Sequence, residues 1–142
     1  MTDDWEQWKP ISGLLVHYDI SSLVDKGGGL FISLVEAKRI GEEFNANSHV
    51  QILFNRTFAY RNTYETYRYK LILELSEKYG TTFYADWKLF KVHNSSYVKW
   101  ISDESCTISD DMELMHFAFI TDDVILEVLA TCEPTFSFLV QN

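Results

Sequence analysis

Leu14-Leu15-Val16-His17-Tyr18-Asp19-Ile20, then Asp25-Lys26-Gly27-Gly28-Gly29, then Leu30-Phe31-Ile32-Ser33-Leu34-Val35 form the stretch that decides the fold class. In the first run Leu14, Val16, Tyr18 and Ile20 fall on one face and His17 and Asp19 on the other, the period-2 pattern of a half-buried strand. The third run supplies a partner strand. The glycine cluster between them reads as a hairpin loop, because tight hairpin turns need residues tolerant of positive φ. Two alternating runs joined in this way make an antiparallel pair.

The pattern continues outward. A third strand is expected at about Arg39 to Phe44, and Asn45-Ala46-Asn47-Ser48 supplies a turn into His49-Val50-Gln51-Ile52-Leu53-Phe54. Phe58-Ala59-Tyr60-Arg61 reads as an extension of the same sheet. A long helix is expected over about 63–79: Asn62 and Glu65 resemble a capping box, Gly80 is a stop signal, and Tyr64, Tyr67, Leu71, Leu75 and Tyr79 line one face. Glu74 and Lys78 form a favourable i,i+4 pair. A strand at Trp87–Val92 precedes a short helix over about 95–103, capped by Asn94 or Ser95. Leu114–Ile120 and Val124–Ala130 read as strands joined at Thr121-Asp122-Asp123, and Phe136, Phe138 and Val140 alternate as a last strand. The expected class is α+β, a mainly antiparallel sheet of about 6–8 strands with one long and one short helix. With no linker, repeat or low-complexity stretch, residues 1–142 read as a single globular domain.

Charge is unevenly distributed. The formal net charge is −9, and no Lys or Arg follows Lys99. That last stretch carries Asp103, Glu104, Asp110, Asp111, Glu113, Asp122, Asp123, Glu127 and Glu133, which account for the whole imbalance. A one-signed surface steers an oppositely charged partner and repels nucleic acid; it also serves simply to keep a protein soluble. Arg56, Arg61, Arg68 and Lys70 lie among Phe58, Tyr60, Tyr64, Tyr67 and Tyr69, a mix that base-stacking platforms use. On an acidic chain the expectation is that these rings pack inward and the cations stay in water. No run reaches the ~20 apolar residues of a membrane helix. The acidic start lacks the features of a secretory signal, so a cytoplasmic protein is expected. Cys106 and Cys132 are too few for a disulfide framework and read as buried free thiols.

Candidate catalytic groups each meet a simpler reading. Gly27-Gly28-Gly29 lacks the Lys-Ser/Thr of a phosphate loop. His17, His49, His93 and His116 are scattered, without metal spacing. His17 and Asp19 share a strand face, as solvent-side residues of any amphipathic strand do. Cys106 near His116 suggests a thiol nucleophile, but a free Cys is more often a small buried hydrophobe. Asp110/Asp111 and Asp122/Asp123 have the composition of turns. The expectation is therefore no enzyme, no cofactor and no metal, with protein binding as the remaining class. Trp and Tyr favour interfaces: Trp87 and Trp100 are expected in the core, Trp5 and Trp8 partly exposed.

Three stretches carry a family resemblance. They are Leu89-Phe90-Lys91-Val92-His93-Asn94-Ser95-Ser96-Tyr97-Val98-Lys99-Trp100-Ile101-Ser102-Asp103-Glu104-Ser105; Ile52-Leu53-Phe54 leading through Tyr60-Arg61 to Glu65-Thr66-Tyr67-Arg68; and Glu127-Val128-Leu129-Ala130 before Glu133-Pro134. Together they resemble small cytoplasmic immunity proteins of bacilli that guard against wall-associated contact-dependent toxins with a tRNA-cleaving C-terminal domain. The similarity spans the chain, and it implies binding to a cognate nuclease domain while carrying no family binding residue to a numbered position. Charge favours the same class, because a nuclease needs a basic groove that an acidic protein fits. The expected contact residues are Asp103, Glu104, Asp110, Asp111, Glu113, Asp122 and Asp123, with Trp5 and Trp8 as aromatic anchors. The competing classes are a homo-oligomeric scaffold, which needs a large apolar patch, and a small-ligand enzyme, which needs a deep pocket.

Overall fold

The computed structural model describes residues 2–37 and 47–139. Its first hairpin is the glycine-turned pair: β2 (Tyr18–Lys26) and β3 (Gly29–Glu36) close through Gly27 and Gly28, both at positive φ. A β-bulge between Ile20 and Ser22 shifts the register, so that Leu23 continues the inward row begun by Tyr18 and Ile20. The strand thus starts at Tyr18; Leu14 and Leu15 precede it and pack on the core. β4 (His49–Phe54) pairs with β3, and β9 (Thr135–Phe138) pairs with β4, giving a four-stranded antiparallel sheet in the order β2-β3-β4-β9. The strand expected at Arg39–Phe44 and Val140 of the last strand lie outside the described residues.

A second antiparallel sheet has the order β1-β6-β7-β8-β5, from β1 (Asp4–Gln7), β5 (Ala59–Tyr64), β6 (Leu89–His93), β7 (Met115–Ile120) and β8 (Val124–Ala130). The class is α+β, with nine strands among the described residues divided between two sheets rather than joined in one. Alternation along a strand reports which face is buried but not which sheet the strand joins, so Phe58–Arg61, read as part of the first sheet, leads into and enters β5 of the second.

The two sheets face each other across Tyr18, Leu30, Ile32, Leu34, Val50, Ile52, Phe54, Trp87, Phe117, Phe119, Leu126 and Val128. The opposite face of the five-stranded sheet is covered by α1 (Tyr69–Tyr79), whose Leu71, Ile72 and Leu75 meet Trp5, Phe90, Val92, Ala118, Ile120 and Ile125. Strands β7 and β8 are therefore buried on both faces, which is why they read as continuous apolar runs.

The helix begins later than its periodicity suggests. Asn62, Thr63 and Tyr64 pair with Leu126, Ile125 and Val124 in the β5–β8 ladder, so the Asn62 capping box does not form. A 3-10 turn (Glu65–Arg68) then leads into α1, which stops at Gly80 with φ +89°. Ladder bonds and the strand preference of Thr63 and Tyr64 win over a local cap. A single turn, α2 (Thr82–Ala85), follows; the short helix is α3 (Ser96–Glu104), capped by Ser95 Oγ, which accepts from the Val98 N–H at 3.1 Å. No helix among the described residues is long and apolar enough to cross a membrane.

Trp5 and Trp8 are 5% and 6% exposed, correcting their expected role as anchors. The acidic N-terminal segment hides an edge strand, in which Trp5 alternates inward between Asp4 and Glu6 and β1 pairs with β6. Trp8 follows, donating its N–H to Leu89 O at 2.9 Å and accepting from Trp87 Nε1 on its carbonyl. Conversely Trp100 is exposed, not in the core. Cys106 and Cys132 are free but exposed, since both lie in loops rather than in elements with a buried face.

Candidate functional site

Folding sorts the cation-free stretch into two kinds of carboxylate. Glu127 sits in mid-β8, a two-sided buried strand, at 1% exposure. The β5–β8 register places Arg61 directly opposite it. Arg61 approaches with two guanidinium nitrogens, Arg68 with a third, and His116 Nε2 lies 3.1 Å from Oε1. Burial alone would raise the Glu127 carboxyl, but the hydrogen bonds from His116, Arg61 and Arg68 outweigh it and hold the group far below the ordinary carboxylate range. The Tyr97 ring lies 4.1 Å from the Arg61 guanidinium.

His116 continues the network to α3. Its Nδ1 is 2.7 Å from Ser95 Oγ. Because Ser95 Oγ accepts the Val98 N–H, its own hydrogen is assigned to His116 Nδ1, leaving the Nε2–H to donate to Glu127. This is a serine–histidine–glutamate line with the proton polarity of a hydrolytic triad. However, the first N–H of α3, from Ser96, is taken by the Asp3 carboxylate at 2.6 Å, and the third, from Val98, by Ser95 itself. Donors that an acyl-transfer site would aim at a developing oxyanion are thus engaged within the protein. The line clamps α3 to β7 and β8. Cys106 is exposed in the loop after α3, whereas His116 is buried with its two ring nitrogens bonded to Ser95 and Glu127, so the two do not form the thiol–imidazole pair that the sequence suggests.

The exposed carboxylates separate into two surfaces. Asp103 and Glu104 end α3, Asp110 and Asp111 lie in a 3-10 turn (Ile108–Asp111), and Glu113 follows it. Bonds from Ser102 Oγ to Asp110 and from the Thr107 N–H to Ser102 O fold these into one lobe. Cys106 and Thr107 both hold positive φ there, a conformation that β-branched threonine keeps only where its surroundings impose it. Trp100 at 53% exposure, Ile108 at 72% and Met112 are interspersed with the acids. Among the described residues none of Asp103, Glu104, Asp110, Asp111 and Glu113 has an ion-pair partner.

The second surface is the β7–β8 turn. Asp122 and Asp123 lie at the far end of β7 from Glu113, about 17 Å away for a six-residue strand. They line a groove of about 360 Å³ with Tyr64, Glu65, Thr66 and Tyr67. Lys88 Nζ is 3.5 Å from Asp122. Asp19 is also close: its burial, and then the charges of Asp122 and Asp123, raise its carboxyl. His17 is exposed just before β2 and forms no pair with Asp19. Glu133, the remaining acid, is engaged by Lys91.

Tyr64, Tyr67 and Tyr69 are exposed, while Arg61 and Arg68 turn inward to Glu127. The expectation that the rings pack inward is reversed, and of the four cations expected in water Arg56 and Lys70 remain there while Arg61 and Arg68 do not, because a buried Glu127 needs counter-charge. Among the described residues no three His, Cys, Asp or Glu side chains are arranged to hold a metal ion. No protein-family model, no curated protein and no solved structure matches this chain.

Proposed function

We propose that the chain is a cytoplasmic immunity-type inhibitor that binds a basic nuclease toxin domain and has no catalysis or cofactor of its own. One observation carries the reading: Asp103, Glu104, Asp110, Asp111 and Glu113 stand exposed, without ion-pair partners among the described residues, on the lobe that also exposes Trp100, Ile108 and Met112. Large apolar side chains ringed by charges of one sign are the composition of an interface core and rim. The sign selects the partner. Desolvating five carboxylates costs several kcal/mol unless Lys or Arg groups meet them, and a nuclease offers such groups in its phosphate groove. Nucleic acid is repelled by the same field.

The scaffold reading fits less well, since a second copy would set like charges against one another at the lobe. Asp122 and Asp123, on the separate surface of the β7–β8 turn beside Tyr64 and Tyr67, form a second, outlying contact in this reading. The test is neutralisation: a basic tRNA-cleaving domain, sought in the genes flanking that of this chain, should lose tRNA cleavage on adding one equivalent. Full cleavage activity in the presence of excess chain overturns the proposal.

A further inference from the structure

The lobe borders a second feature that the acidic surface does not explain. Asp25 of β2, Gly28 of the glycine turn, Phe58, Tyr60 of β5, and Trp100 and Ile101 of α3 enclose a groove of about 410 Å³. Phe58, Tyr60 and Trp100 all expose large ring surface. Asp25 is the one charged residue in the lining among the described residues, and its Oδ2 accepts from the Tyr60 hydroxyl at 3.2 Å. Lys26, at the same hairpin tip, lies over the Phe31 ring. The Thr57 N–H, at 2.8 Å, and the Thr57 hydroxyl both donate to Gly28 O, tying the glycine turn to the connection between β4 and β5 along one wall.

We propose that this groove receives an arginine side chain of the basic partner, its guanidinium laid on the Trp100 ring and paired with Asp25. This rests on the reading of the chain as an inhibitor of a basic protein. Flat rings with one carboxylate at the end match guanidinium, which stacks on aromatic faces and pairs with carboxylates through parallel N–H donors. An ammonium is compact and strongly hydrated and uses such a slot poorly. A nucleobase would stack equally well, but its phosphates would meet Asp25, Asp103 and Glu104. The fold already uses this chemistry on the other side of α3's tyrosine: Arg61 stacks on Tyr97 and pairs with Glu127. Trp100 is also one turn from Asp103 and Glu104, so an arginine reaching the groove passes through the lobe's field.

The experiment is an NMR titration of the full chain with N-acetyl-arginine amide and, separately, its neutral isostere N-acetyl-citrulline amide. The Trp100 indole and Tyr60 resonances should shift saturably with arginine, and citrulline should bind about tenfold more weakly. Asp25→Asn and Trp100→Ala, both at exposed positions, should each weaken arginine binding about fivefold. Equal response to citrulline, or unchanged arginine binding in both variants, overturns the groove. The two readings fail separately. A chain that neutralises its nuclease with undiminished affinity in both variants keeps the inhibitor function and loses the groove. Charge-dependent arginine binding without neutralisation does the reverse.

Discussion

Glu127 and the Asp110–Asp111 pair come from the same cation-free stretch, and the fold treats them in opposite ways. Glu127 is withdrawn on the helix-covered face of the five-stranded sheet, the face it shares with Ile125, and is surrounded by Arg61, Arg68 and His116, all supplied by other elements. Asp110 and Asp111 stay at the surface with no cation at hand among the described residues. The difference teaches that charge segregation along a chain is not charge segregation in space. Strand pairing brings Arg61 across to Glu127, and only the carboxylates on loops and helix ends escape such pairing. What remains unpaired is therefore available to a partner.

The largest effect should come from breaking the buried half. Glu127→Ala leaves Arg61 and Arg68 facing each other without a counter-charge and should cost about 3–5 kcal/mol, read as a lowered denaturant midpoint. Ser95→Ala removes the cap of α3 and the donor to His116 Nδ1, and should cost about 1–3 kcal/mol in the same measurement. pH sharpens the contrast. The Glu127 carboxyl is depressed in the folded state, so its contribution is fully present above the ordinary glutamate pKa and is lost as pH falls through the lowered one. Glu127→Gln should accordingly show a flatter loss of stability than the parent chain on acidification below about pH 4.3. The smallest effect belongs to the exposed half: Asp110→Lys with Asp111→Lys, or Trp100→Ala, should change stability by under about 0.5 kcal/mol in denaturant titrations.

This asymmetry was only partly legible in the sequence. The hairpin turned by Gly27 and Gly28, the stop at Gly80 and the cap at Ser95 follow from local chemistry, and the structure holds each of them. The split into two sheets is not local, nor is the burial of Trp5, which depends on β1 finding the edge of β6. The Glu127 network did leave a signal: a glutamate in the middle of the apolar run Val124–Ala130 has to be paired if both faces of the strand are buried. Its partners could not be named, because Arg61 was read into the other sheet and Arg68 into the long helix, and neither reading sets β5 beside β8. The acidic lobe was legible as composition, but its apolar component was assigned to the wrong tryptophans. Trp100 faces solvent because α3 presents Tyr97 to His116 and Arg61 and uses that ring for its packing.

The central claim is that the unpaired acids of the lobe steer and hold a basic nuclease. Stopped-flow association of that nuclease with the parent chain and with a variant carrying Lys at positions 103, 104, 110, 111 and 113 tests it most directly. The account predicts that association of the parent slows steeply with added salt, and that the variant associates at least about tenfold more slowly with little salt dependence. An unchanged rate in the variant, or a bound partner that proves acidic, would contradict it.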